Sequence, residues 1–390
     1  MNIEKIRGDI ADYGNKLFLN SAGSSLMSDQ VVVKIEQYLR QEERMGGYAV
    51  VESREKDITD FYHQAAKIIG ANPKNIAFTH DATDAYIKAL SAIDFKNGDI
   101  IITTDDDYSS NHIQFISLQK RFGTKTKKIR TLPNGDLDIS HFEELLTKFP
   151  PKLVAVTQVP TNSGLIQNVE AIGRICEEQE ILFLVDACQS VGQLNVDVKK
   201  LKCDFLTTTG RKFLRGPRGT GFLYVSEKVL NNGYYPLFID GGGATWTQTE
   251  QFEILQTAKR YETWEKPYAL LVGFSEALRY ANEVGIDKIQ TYNKKIMTRL
   301  RDNLMSLSEI NLFDKGSKTC NILTFRKEGK SLEEVKKILD SNNVLFSVSQ
   351  KEWGIIDYDK KGINGTIRLS PHYFNTMEEM DQVSEIIQRI

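Results

Sequence analysis

The stretch from Leu182 to Val225, LFLVDACQSVGQLNVDVKKLKCDFLTTTGRKFLRGPRGTGFLYV, constrains the fold of this chain more than any other. It reads as a buried strand ending in Asp186, a short helix, a second strand at Asp204–Thr208, a polar turn carrying Lys212, and a third strand at Gly221–Val225. Ligands of open α/β sheets bind beyond the carboxyl ends of the strands. A carboxylate that ends one strand and a lysine just past the next therefore face one crevice.

Upstream, short apolar runs alternate with helical patterns. Ile76–Thr79 precedes a helix from Thr83, Ile100–Thr103 one from Ser110, and Leu153–Gln158 one from Asn168. That alternation predicts a parallel sheet covered by helices. Before it, Met27–Met45 and Asp57–Ile69 have amphipathic helical spacing, with Ser28 as the N-cap of the first. After Val225 the pattern loosens into a glycine-rich loop at Gly241–Trp246, and long helices follow at Pro267–Val284 and Ile286–Leu307. From there a mixture of helices with strands at Asn321–Phe325, Val344–Val348 and Gly365–Leu369 suits a small α+β unit. The expected division is residues 1–20 as an N-terminal segment, 21–285 as a large α/β domain and 286–390 as a small α+β domain.

Length permits this, since 390 residues with 41% hydrophobic content supply two cores. With 50 basic and 52 acidic residues, the net charge of −2 gives no reason to expect nucleic acid or an anionic membrane as a partner. Charged runs such as Lys125–Lys128 read as solvated faces. The four cysteines lack CxxC or His-rich spacing, so no metal is expected, and a reduced cytoplasmic setting fits them. No stretch holds the roughly 18 apolar residues of a membrane span. Gly-x-Gly-x-x-Gly and P-loop patterns are also missing, which disfavours a dinucleotide.

Several residues gather chemical interest at the predicted strand ends. Asp186 interrupts an apolar run, and a buried carboxylate is costly without a partner. Paired with Lys212, it suits a lysine Schiff base with an aspartate on a pyridinium nitrogen. Arg211 and Arg215 would depress the lysine pKa and make the amine nucleophilic. The helix start at Thr83 and Asp84 offers free backbone N–H groups to a phosphate, or simply a capped helix. Tyr108 can lay its ring on a flat cofactor or pack in a core. Asn162 can donate to a ring hydroxyl or make an ordinary turn, and Gln189 faces the same way as Asp186. Arg368, in a strand between apolar neighbours, is either a fork for a carboxylate or half of a structural ion pair.

These motifs resemble the fold-type I pyridoxal-phosphate enzymes of the class V aminotransferase superfamily, most specifically in VDACQSVGQ at 185–193 and TTTGRKFLRGPRGTGFLYV at 207–225. The superfamily includes cysteine desulfurases, epimerase-like proteins and amino-acid C–S lyases. VPTNSGLIQNV at 159–169, ATWT at 244–247 and AKRYETWE at 258–265 are most similar to the branch of the ergothioneine-pathway C–S lyase and epimerase-like members. The resemblance implies pyridoxal 5′-phosphate held as a Schiff base by Lys212, with Asp186 on the pyridinium nitrogen and Tyr108 stacked on the ring. It places Asn162 and Gln189 near the ring oxygen, and Thr83, Asp84 and Thr209 at the phosphate. It further implies a homodimer with sites at the interface, where Thr245 reaches the partner's phosphate, and a substrate site formed by Asn20, Ala22 and Arg368.

Two departures bear on the activity. Arg211 stands where desulfurases usually have histidine before the lysine, and Val344–Tyr358 holds no cysteine to receive sulfur as a persulfide. The expectation is accordingly β-elimination on a cysteine-derived amino acid. Transamination and epimerisation remain open, with His372 and Tyr373 as weak candidates for a second acid, and so does a catalytically silent relative.

Overall fold

The computed structural model describes every residue except Tyr13. Its centre is a seven-stranded sheet in the order Ile76–Thr79, Gly221–Val225, Phe205–Thr209, Leu182–Asp186, Leu153–Thr157, Ile100–Thr104, Lys125–Ile129. Only Gly221–Val225 runs against its neighbours, so the sheet is mainly parallel, and the α/β fold class read from the sequence is the observed one.

Both faces of this sheet are covered. Along Leu153–Val156 and Leu182–Val185, successive residues alternate between two separate apolar cores. Val154, Val156, Phe183 and Val185 enter one core, while Leu153, Ala155, Leu182 and Leu184 enter the other. Strands buried on both faces read as continuous apolar runs because the period of two serves two cores at once. Helices Asp29–Met45, Glu55–Ile68 and Tyr268–Val284 pack together on the first face.

A second, four-stranded antiparallel sheet runs Ile310–Leu312, Leu323–Lys327, Gly365–Leu369, Ser347–Gln350. Helices Ile286–Met305, Leu332–Ser341 and Met377–Gln388 bury its apolar face, and the last two begin with capping boxes at Ser331 and Thr376. The N-terminal residues join this side, since Leu17–Phe18 pairs with Val344–Leu345 and Asn20 bridges to Ser370. We propose a domain boundary at Gly285, where helix Tyr268–Val284 ends and the next begins with a backbone φ of 90°.

Two sequence expectations are corrected. Lys125–Lys128 is an edge strand of the large sheet, where lysines suit solvent on one side and discourage pairing with another chain. The glycine-rich loop at 241–246 runs into a hairpin, Ala244–Gln248 with Gln251–Ile254, which pairs with no other strand. Residues 351–361 form a 3-10 turn and a helix, Ile355–Lys361, clasped to the large sheet by Lys315 between Asp106 and Asp357 at 2.7 and 2.8 Å.

Candidate active site

A cavity of about 220 Å³ opens at one end of the large sheet. The strands ending at Thr157, Asp186 and Thr209 deliver Val159 and Thr161, Cys188 and Gln189, and Arg211 and Lys212 to its wall. The helices beginning at Ala82 and Ser109 add Thr83, Tyr108 and Asn111. Two glycines permit the close packing. A Cβ on Gly221 would lie 2.5 Å from the Thr208 carbonyl oxygen, and one on Gly192 would lie 2.5 Å from the Phe213 backbone, where φ is +98°. Larger grooves of about 740 and 760 Å³ lie along helix Asp29–Met45 and beside Ile87–Phe95, but neither gathers a comparable set of functional groups.

Lys212 and Asp186 occupy the same wall, 8% and 4% exposed. Burial pushes the Lys212 amine below its ordinary range, with Arg211 and Arg368 adding to the shift against Cys188 and Asp186. Arg215 is turned away from the lysine to the Leu26 carbonyl and the Tyr373 hydroxyl. Lys212 Nζ donates to Cys188 Sγ at 3.3 Å. Asp186 is pushed upward by burial and by Asp107, against hydrogen bonds from the Cys188 backbone N–H at 2.9 Å and Asn111 Nδ2 at 3.1 Å.

The opposite end of the cavity is cationic. Arg211 donates to Thr209 Oγ1 at 3.2 Å, and Arg218 and Gly219 complete the rim. Asp81 caps the helix by accepting from Asp84 N at 2.8 Å. Among the described residues the Ala82 and Thr83 amides have no protein acceptor, which leaves them to an anion.

Of the other sequence candidates, Gln189 lines this wall and Asp84, Asn162, Asn20 and Thr245 do not. Asp84 accepts from His80 N and Lys88 Nζ rather than facing the cavity. Asn162 turns its amide to the Trp353 carbonyl at 3.4 Å, and Thr161 takes the place expected for it. Gln189 donates to the Ala22 carbonyl at 3.1 Å and leaves its Oε1 buried without a partner. Asn20 Oδ1 accepts from the Ser347 hydroxyl at 2.6 Å, and the same hydroxyl accepts from Arg368 Nη2 at 3.2 Å. Thr245 lies on the projecting hairpin, away from the cavity of its own chain.

Arg368 is 4% exposed and donates to the Thr161 carbonyl at 3.4 Å. Its Nε has no partner, and no acid pairs with it among the described residues, so the structural ion pair weighed as its alternative does not form. Burial pushes its pKa down to about 10. The weak acid candidates are removed as well. His372 is fully buried, with Nε2 on the Phe213 carbonyl at 2.8 Å and Nδ1 beside Asn293 Nδ2 at 3.1 Å, and Tyr373 OH accepts from Arg215.

Sequence reasoning passed over Cys188, Thr161, Asn111 and Asp107. Asn111 lies one helical turn after Tyr108, and Cys188 stands between two residues already singled out; position relative to those anchors was the available signal.

The sequence model of the family described as "Aminotransferase class-V" matches residues 17–383. The chain belongs to that family. It is 27% identical to a probable cysteine desulfurase of Methanothermobacter thermautotrophicus, over 100% of this chain and 98% of the relative. The apo structure of a cysteine desulfurase from Thermococcus onnurineus NA1 superposes with a TM-score of 0.92 at 27% identity, covering 100% of this chain and 98% of the other. A structure of a C-DES mutant, with glycine covalently linked to its PLP cofactor, shares the fold at a TM-score of 0.87 and 18% identity, over 98% of each chain.

This class-V aminotransferase family enzyme uses pyridoxal phosphate. The cavity fits the group. It presents a lysine amine of depressed pKa, a carboxylate on the same wall, unpaired helix amides with two arginines on the rim, and an unpartnered buried amide oxygen on Gln189.

Proposed function

We propose that this enzyme cleaves the Cβ–S bond of cysteine or a cysteine derivative by β-elimination. Arg368 carries the reading for an amino-acid substrate. A buried guanidinium without an acidic partner is costly, and a substrate carboxylate supplies the missing charge in the planar geometry that arginine recognises. Bound at Lys212, pyridoxal phosphate supplies a sink for the electrons released at the substrate Cα. Asp186 on the cavity wall would hold the ring nitrogen in its protonated form, and Tyr108, 38% exposed on the same lining, would pack on the ring. Lys212, whose amine burial pushes below its ordinary range, takes the Cα proton as general base. With sulfur on Cβ, the overall reaction takes cysteine and water to pyruvate, ammonia and sulfide.

Thiol placement favours elimination over sulfur transfer. Residues 344–361 contain no cysteine, and Cys176, Cys203 and Cys320 are buried away from the cavity. The desulfurase names of the relatives support a second reading, in which sulfur passes to Cys188 and alanine is released. Burial raises the Cys188 thiol pKa, which disfavours the thiolate this reading needs. Incubation with cysteine and with cysteine S-conjugates decides between them. Pyruvate in wild type and in Cys188→Ala supports elimination, whereas alanine lost in Cys188→Ala replaces it with transfer.

A homodimer completes the proposal. The hairpin bearing Thr245 also carries Trp246, 77% exposed, and Leu237, Phe238 and Ile113 are exposed as well, apolar side chains that a second copy would cover. Sedimentation as a single chain at micromolar concentration would remove this part of the reading.

A further inference from the structure

Behind Asp186 lies a second buried acid. Asp107 is 7% exposed, and four donors converge on its carboxylate. They are the Thr103 hydroxyl at 2.7 Å, the Tyr108 backbone N–H at 2.8 Å, Asn111 Nδ2 at 2.9 Å and the Thr157 hydroxyl. A carboxyl group that accepts from every partner has the hydrogen bonding of its charged form. The two preceding acids are neutralised, Asp105 by Lys128 and Lys360 and Asp106 by Lys315. Asp107 has no such cation among the described residues.

Asn111 Nδ2 donates to Asp107 and to Asp186 Oδ2 at 3.1 Å, so two buried carboxylates share one amide. Thr103, Asn111 and Thr157 are themselves 0, 2 and 4% exposed. Tyr86, whose buried hydroxyl has no partner, is pushed upward by burial and by both acids. Two like charges held this close in the interior are unfavourable until a positive charge joins them.

We propose that Asp107 is a positioning residue for the cofactor ring, which acts through Asn111 and Asp186 to make a protonated ring nitrogen the charge-balancing partner of the acid pair. This rests on the reading above that Asp186 meets that nitrogen. Asp107 touches neither cofactor nor substrate; it fixes the field and the orientation of the carboxylate that does.

The test compares pyridoxal phosphate with its 1-deaza analogue, in which a C–H replaces the ring nitrogen. Each is exchanged into the wild-type full chain and into Asp107→Asn, a substitution of nearly equal shape that removes the charge. Dissociation constants are read from cofactor absorbance. Asp107→Asn weakens pyridoxal phosphate by about tenfold, the equivalent of one pK unit at the ring nitrogen, and leaves the analogue within about twofold. Equal loss of both compounds, as a purely structural role for Asp107 predicts, overturns the proposal, and so does no loss of either. Thr103→Val removes a donor from Asp107 outside the cavity wall and gives the same selective loss in smaller measure, which keeps the test decisive if Asp107→Asn does not fold. A wild type that retains neither compound overturns the cofactor reading itself, whereas a wild type that holds pyridoxal phosphate beside an unaffected Asp107→Asn overturns this proposal alone.

Discussion

The two ends of the cavity lie close in the chain and are built on opposite terms. At the end around Asp186, the side chains of Asp186, Asn111 and Asp107 are almost wholly buried, and their hydrogen bonds fix each carboxylate. At the end proposed for the phosphate, Arg211 is half-buried and Arg218 exposed, beside the Ala82 and Thr83 amides. Lys212 and Arg211 are consecutive residues, yet one belongs to each regime. A charge in the interior acts strongly and from one place, while a charge at a wet rim is screened and easily substituted. Chemistry should therefore depend on single residues at the buried end and on a shared set at the open end.

Lys212→Ala should have the largest effect. Removing the amine proposed both to hold the cofactor and to move the Cα proton should lower kcat by on the order of 10³-fold or more, with loss of the covalent cofactor absorbance. A loss of only about tenfold, no larger than a rim residue gives, would erase the contrast between the ends.

Asp186→Asn comes next and separates function from stability. Asp186 is pushed above the usual aspartate range, so between its unfolded and folded pKa the folded protein holds a proton that the unfolded chain has released. Stability from this group consequently falls as pH rises through that window, and the full cost of the buried charge is present above it. Asparagine removes the cost. Cofactor-free Asp186→Asn should melt at a higher temperature than cofactor-free wild type at pH 7, by at least ~1 kcal/mol, with the gap closing toward pH 4. The same variant should bind pyridoxal phosphate more weakly, and thermal scans with and without cofactor check both signs.

This difference in build also explains what the sequence revealed. Asp186 and Lys212 were legible because a carboxylate at the end of an apolar run and a lysine past the next strand are local anomalies in a strong pattern. The alternating strands were legible for the same reason, and the resemblance of 185–193 and 207–225 then supplied the cofactor. Asn162 was misplaced by one residue because a turn sends neighbouring side chains to opposite sides, so Thr161 reaches the cavity and Asn162 meets Trp353. Lys125–Lys128 concealed a strand because an edge strand with one side in solvent can carry lysines in place of apolar alternation. Asp107 looked like one acid among three at 105–107, and only the fold shows that two are paired with lysines while the third shares an amide with Asp186. The Arg368 guanidinium, likewise, became informative once no acid was found beside it.

Arg211→Ala should have the smallest effect and is the sharpest probe of the open end. Its guanidinium is held by one hydrogen bond to Thr209, and its Nε is unpartnered. Arg218, the Ala82 and Thr83 amides and the helix dipole remain when it is removed. The expected loss is about threefold to tenfold in affinity for pyridoxal phosphate, comparable to one partly exposed ion pair. Because Arg211 also lowers the Lys212 pKa, the variant should shift the basic form of the lysine to higher pH, visible as a displaced pH profile of cofactor attachment. Its effect should shrink as salt is raised from about 0.01 to 1 M, over which the screening length falls from about 30 to 3 Å. The Asp186→Asn loss, set in the interior, should be nearly independent of salt. If Arg211→Ala instead costs as much as Asp186→Asn and is equally indifferent to salt, the phosphate end is closed in the assembled enzyme, which the partner's Thr245 hairpin would accomplish.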